Sequence, residues 1–204
     1  MSRPMPIRRA LARAALKVTR WRTVGEVPRS GILVGAPHSS NWDWVATLTL
    51  LWSAGVRPRV LVKQELYRGP LAWLFRATGG IPVDRKHPGR LVDNLAKQAK
   101  ADKSFLIVLA AEGTRSKGTH WKSGFYRLAQ QTGLPVSLGF IDGPSRTLGF
   151  GPTLHVTGDV RADMDKVRAF YADKHGIHPE KRTEPRLREE DRGEEDRGED
   201  AGQS

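Results

Sequence analysis

A histidine and an aspartate stand five positions apart in Pro37-His38-Ser39-Ser40-Asn41-Trp42-Asp43. An imidazole can take a proton from a hydroxyl when a carboxylate holds its other ring nitrogen. The pair can therefore activate an alcohol. On one regular helix these positions would sit roughly 140° apart and could not meet. They meet if His38 precedes a helix and Asp43 lies in its first turn. A plainer reading fits the same residues: Asp43 closes a capping box with Ser40, and His38 is only a loop residue.

Two further clusters carry cations. Glu112-Gly113-Thr114-Arg115-Ser116 follows the apolar run Phe105-Leu106-Ile107-Val108-Leu109. Arg115 can grip a phosphate in bidentate fashion, with Thr114, Ser116 and the Gly113 amide as added donors. Glu112 would repel a phosphate and is better suited to accept from a hydroxyl or to position an arginine. Asp84-Arg85 follows Gly79-Gly80-Ile81-Pro82-Val83, and Arg85 is a second candidate phosphate ligand. Lys63 and Lys122 are further cations near expected strand ends or loops. Each cluster also reads as an ordinary polar turn or surface ion pair.

The elements that would position these groups alternate. Apolar runs predict strands at 31–36, 59–63, 79–85, 105–109, 134–141 and 152–160. Helical spacing covers 41–54, 70–77, 88–102, 124–131 and 163–175. This pattern predicts one α/β domain with a mostly parallel central sheet flanked by helices. Such sheets bind ligands at the carboxyl ends of their strands, where all three clusters fall. They are expected to face one cleft, supplying a base, an orienting carboxylate and two guanidinium groups. That set suits attack by a hydroxyl of a phosphorylated molecule on an activated acyl group.

The chain has 204 residues and a formal charge of +12. The charge points to an anionic partner: nucleic acid, a membrane surface, or phosphorylated or CoA-linked substrates. No nucleic-acid recognition motif is present, so a nucleic-acid partner is not expected. There is no cysteine, which excludes thiolate and disulfide chemistry. The six histidines form no recognisable ligand cluster, and no metal is expected. The longest uncharged run, Trp44 to Val56, is shorter than the ~20 residues of a bilayer span.

Three segments follow: a basic amphipathic helix at 1–24, the main domain at 25–178 and a charged tail at 179–204. In the first, Ile7, Leu11, Ala14, Val18 and Trp21 line one helical face, with arginines on the sides and back. That stripe can lie in a lipid headgroup layer or pack on the protein's own core. Trp21 and Trp73 are candidates for lipid contact. The tail holds the tandem repeat Glu190-Asp191-Arg192-Gly193-Glu194 and Glu195-Asp196-Arg197-Gly198-Glu199, with a single Leu and no aromatic residue. It is expected to be disordered.

The motifs in their order resemble the glycerolipid acyltransferase family, whose best-known member is 1-acylglycerol-3-phosphate acyltransferase. His38 and Asp43 match its His-x4-Asp motif. Gly79 to Arg85 is similar to the second, Glu112 to Ser116 to the third (Phe-Pro-Glu-Gly-Thr-Arg-Ser), and Leu134-Pro135-Val136 to a looser fourth. Ala110-Ala111 stands where that family has Phe-Pro, and Pro37 where Asn is common. The resemblance implies acyl transfer from acyl-CoA or acyl-carrier protein to a hydroxyl of a glycerophospholipid precursor. His38 would be the general base and Asp43 its orienting partner. Arg85 and Arg115 would hold the acceptor's phosphate, while Glu112, Gly113 and Thr114 would shape or line its pocket. Amides at the start of the helix after His38 are candidate oxyanion donors. No cofactor beyond the acyl donor is implied, and the expected place is cytoplasmic, on the inner face of the cell membrane. Other readings are acylation of a lyso-phospholipid, an amino-acid lipid or a glycolipid, or a basic nucleic-acid-binding module.

Overall fold

The computed structural model describes residues 5–56, 59–70, 72–83 and 88–191. Its strands are β1 (Arg22–Val24), β2 (Gly31–Ala36), β3 (Arg59–Lys63), β4 (Gly80–Val83), β5 (Leu106–Ala110), β6 (Val136–Asp142) and β7 (Thr147–Leu154). Its helices are α1 (Pro6–Thr19), α2 (Trp42–Ser53), α3 (Ala72–Ala77), α4 (Pro88–Ala101), α5 (Gly124–Thr132) and α6 (Val160–Tyr171). The strands form one sheet in the order β1-β7-β6-β2-β5-β3-β4. Every pairing is parallel except β6 with β7. The expected single α/β domain with a mostly parallel sheet is therefore the fold observed.

β2 lies at the centre, and its alternation explains the layers. Ile32 and Val34 point to one face, where they join Leu95, Phe125, Leu128, Met164 and Tyr171 from α4, α5 and α6. Leu33 points to the other, with Leu50 and Leu51 of α2 and Leu16 from α1. A strand covered on both faces must be apolar at every position, and Gly31-Ile32-Leu33-Val34-Gly35-Ala36 is.

Several boundaries differ from the sequence expectation. β1 was not foreseen; its three residues are exposed and pair only with β7 at the sheet edge. β7 starts at Thr147, not 152, because its glycines conceal it. At Gly149 an added Cβ would lie 2.6 Å from Val24 and 2.7 Å from Phe140, and at Gly151 2.2 Å from the Phe170 ring. α6 begins at Val160, where the Asp159 side chain accepts from the Ala162 N–H.

The amphipathic stripe of α1 faces outward. Ile7, Leu11 and Val18 are exposed, Ala12 is buried, and Leu16 and Trp21 pack on the core. The helix also ends at Thr19, short of the expected 24. At the other end, the packed domain continues beyond 178. Thr183, Leu187 and Glu190 are buried, and Glu190 pairs with Arg168 at 2.7 Å. Average composition hides this, since one Leu is buried whole and several of the charges, Arg186, Glu189 and Glu190 among them, find partners. Residues 192–204, the rest of the expected tail, lie outside the described residues.

Candidate active site

β2 delivers the chain to Pro37, and α2 begins at Trp42, so His38 precedes the helix and Asp43 sits in its first turn. His38 Nδ1 lies 3.2 Å from Asp43 Oδ2. The same oxygen accepts the Ser40 N–H at 2.7 Å, while Ser40 Oγ accepts the Trp42 N–H at 3.2 Å. Asp43 thus does both things the sequence allowed: it caps the helix and it holds the imidazole. Its other oxygen, Oδ1, is buried with no hydrogen-bond partner among the described residues. His38 keeps 22% of its side chain exposed, and its Nε2 has no partner among the described residues.

The Glu112 cluster is placed by sheet register. Gly35 pairs with Ala110, so the chain beyond β5 runs beside the chain beyond β2. Glu112 is 2% exposed. Its Oε1 accepts the His38 N–H at 2.8 Å and its Oε2 the Thr183 N–H at 3.3 Å. Burial pushes its pKa up, opposed by those N–H groups and by the His38 imidazole. The expected contact of Glu112 with an acceptor hydroxyl is not what this geometry gives: both oxygens are engaged behind His38. Tyr171, wholly buried nearby, donates to Val34 O and Gly139 O, and its pKa is raised by burial and then by the Glu112 charge.

The other sequence-derived residues separate. Gly113 has φ 69°, and a Cβ there would meet the Lys122 stem at 2.7 Å. Its N–H is donated to Ala110 O at 3.1 Å, so it is not the free donor expected. Thr114 Oγ1 accepts the Ser116 N–H at 3.3 Å. Arg115 is exposed. Arg85 lies outside the described residues, as do Asp84 and the Lys63 side chain. The amides of Ser40, Trp42 and Asp43 are already bonded within the turn, so none of the three is a free oxyanion donor.

Two hollows flank the His38–Asp43 loop. One is apolar, lined by His38 and Asp43 with Leu50, Leu51, Leu148 and Phe150. The other is polar, lined by Ser39, Ser40, Trp42, Arg115, His178 and Lys181. The single cleft expected from the sequence is thus two neighbouring hollows, with Arg115 in the second. His178 and Lys181 were not singled out from sequence. Gly176 and Pro179 mark a turn there, but nothing local says that the turn returns to the loop after β2. A hydroxyl brought to His38 Nε2 can lose its proton there while Asp43 holds Nδ1.

The sequence profile of the Acyltransferase family matches residues 18–137. The chain belongs to the Acyltransferase family. The match takes in His38, Asp43, Glu112 and Arg115 and stops before α6. A solved structure, the 1-acyl-sn-glycerophosphate (LPA) acyltransferase PlsC from Thermotoga maritima, is similar in fold, with a TM-score of 0.55 and 19% identity. The similarity covers 78% of this chain and 75% of that one. No curated protein sequence matches the chain. In this acyltransferase His38 and Asp43 are in direct contact, and the Glu112 carboxylate is set behind them.

Proposed function

We propose that this acyltransferase moves a fatty acyl group from an acyl-CoA or acyl-carrier protein thioester to a hydroxyl of a glycerophospholipid precursor. The observation that carries the reading is the His38–Asp43 contact at the edge of an apolar hollow. His38 Nε2 takes the hydroxyl proton, and the freed oxygen attacks the thioester carbonyl. The C–S bond then breaks, and the imidazolium returns its proton to the leaving thiolate. Asp43 holds one tautomer and offsets the charge on the imidazolium. The apolar hollow suits the acyl chain. The shared fold makes 1-acylglycerol-3-phosphate the first acceptor to test.

A lipid acceptor must be taken from a membrane. Among the described residues no helix is long and apolar enough to cross one. α1 offers another route: Ile7, Leu11 and Val18 project outward beside Arg9, Lys17 and Arg20, which suits an anionic leaflet. Trp73 is exposed as well, whereas Trp21 packs inward. The enzyme would then act as a peripheral protein on the cytoplasmic face.

The test is mass spectrometry of lipid products after incubation with lysophosphatidate and either an acyl-CoA mixture or acyl-carrier protein loaded with the same chains. Phosphatidate bearing the donor's acyl chain supports the proposal. Its absence with either donor carrier, from a folded enzyme on vesicles, removes this acceptor.

A further inference from the structure

The polar hollow beside Ser39 contains three side chains able to carry positive charge, and two of them come from outside the family-matched stretch. Arg115 follows β5, whereas His178 and Lys181 belong to the segment after α6. Arg115 and Lys181 have no ion-pair or side-chain hydrogen-bond partner among the described residues. His178 Nδ1 lies 3.6 Å from Glu180 Oε1, itself exposed.

The segment that carries them is fixed to the site. The His178 N–H donates to Ser39 Oγ at 3.0 Å. The Gly143 N–H donates to Gly176 O at 2.9 Å, and Arg182 Nη2 to Tyr171 O at 3.0 Å. Gly176 has φ 74°, and a Cβ there would stand 3.0 Å from Pro37 Cβ. Two unneutralised cations facing one hollow repel each other, and an anion seated between them relieves that repulsion.

We infer that Lys181 and His178 act with Arg115 as a cradle for the phosphate of the acceptor, which deepens and rests on the reading above. Phosphate esters occur in both substrates, as the acceptor's head group and in CoA. Ser39 directly follows His38, so an anion held here lies close to the base. In a glycerol phosphate only a few bonds separate phosphate and hydroxyl, whereas the pantetheine arm keeps CoA's phosphates far from the thioester. The acceptor is the better fit.

The test is calorimetric titration of the full chain with hexanoyl-lysophosphatidate, with neutral monohexanoyl-glycerol and with CoA. Lys181→Ala should weaken lysophosphatidate binding about tenfold and His178→Ala about threefold, with the neutral lipid and CoA unchanged. Lys181→Arg should restore most of the affinity. Weakening confined to CoA would move the cradle to the donor and overturn the assignment. A folded Lys181→Ala protein that binds lysophosphatidate like the parent, or a parent that does not bind it, would also overturn it. Titration needs no turnover, so an inactive protein that binds through Lys181 keeps the cradle and loses the acyl-transfer reading. An active enzyme indifferent to Lys181 does the reverse.

Discussion

Glu112 accepts the backbone N–H of His38 at 2.8 Å, tying together residues 74 positions apart. The contact fixes the main chain on which the imidazole is mounted, and the second oxygen ties in Thr183. Glu112→Gln keeps the size but faces one of these N–H groups with an NH2. A lost buried hydrogen bond costs about 1–3 kcal/mol, and about 1.4 kcal/mol corresponds to tenfold in rate. We expect kcat to fall about 10- to 100-fold, with a smaller change in the KM for the donor, measured by steady-state assay.

Glu112 also sets a pH dependence of stability. Its pKa is raised by burial, so its contribution is fully present below the ordinary glutamate value of 4.5. It is lost as pH rises through the elevated value in the folded protein. Denaturant unfolding of wild type and Glu112→Gln across pH 4 to 8 should show the wild-type advantage shrinking towards alkaline pH. An advantage that grows would contradict the assigned direction.

His38→Ala should lower acyl transfer by about 10²–10⁴-fold while leaving the circular dichroism spectrum unchanged. Asp43→Asn retains an oxygen for the Ser40 N–H, so the helix start survives. It should nevertheless lower kcat, because the amide no longer stabilises the imidazolium. If thermal melts of Asp43→Asn match wild type and activity does too, Asp43 is only a cap.

The apolar hollow predicts selectivity for chain length. Ala46 lines it, so Ala46→Phe should shift preference towards shorter acyl donors, read from the product distribution of a mixed-donor assay. An unchanged distribution would place the acyl chain elsewhere.

Ser replacing Ile7, Leu11 and Val18 removes the exposed apolar face of α1 without touching Leu16 or Ala12, which face inward. Co-sedimentation with anionic vesicles should drop several-fold, with thermal stability unchanged.

Leu187 is fully buried. Leu187→Ala should cost about 2–5 kcal/mol, lowering the melting midpoint by roughly 5–15 °C for a chain of this size. A wild-type midpoint would show that the segment after α6 does not belong to the folded domain.

Local pattern determined a good deal here. The unbroken apolar runs around Ile32 and Ile107 marked central strands, because a strand buried on both faces has no polar positions. The His38–Asp43 spacing at a strand-to-helix junction allowed the contact that the structure makes. What local pattern does not hold is the return of distant chain. Glu112 reads as a free carboxylate until the pairing of Gly35 with Ala110 sets it behind His38. The segment around Lys181 and Leu187 reads as solvated tail until its few contacts find Arg168, Ser39 and Thr183's partner Glu112. The outward stripe of α1 is equally invisible, since periodicity names a face but not what it meets. Those facts depend on which surfaces the folded sheet brings together, and contacts between residues far apart in sequence leave no trace in either neighbourhood.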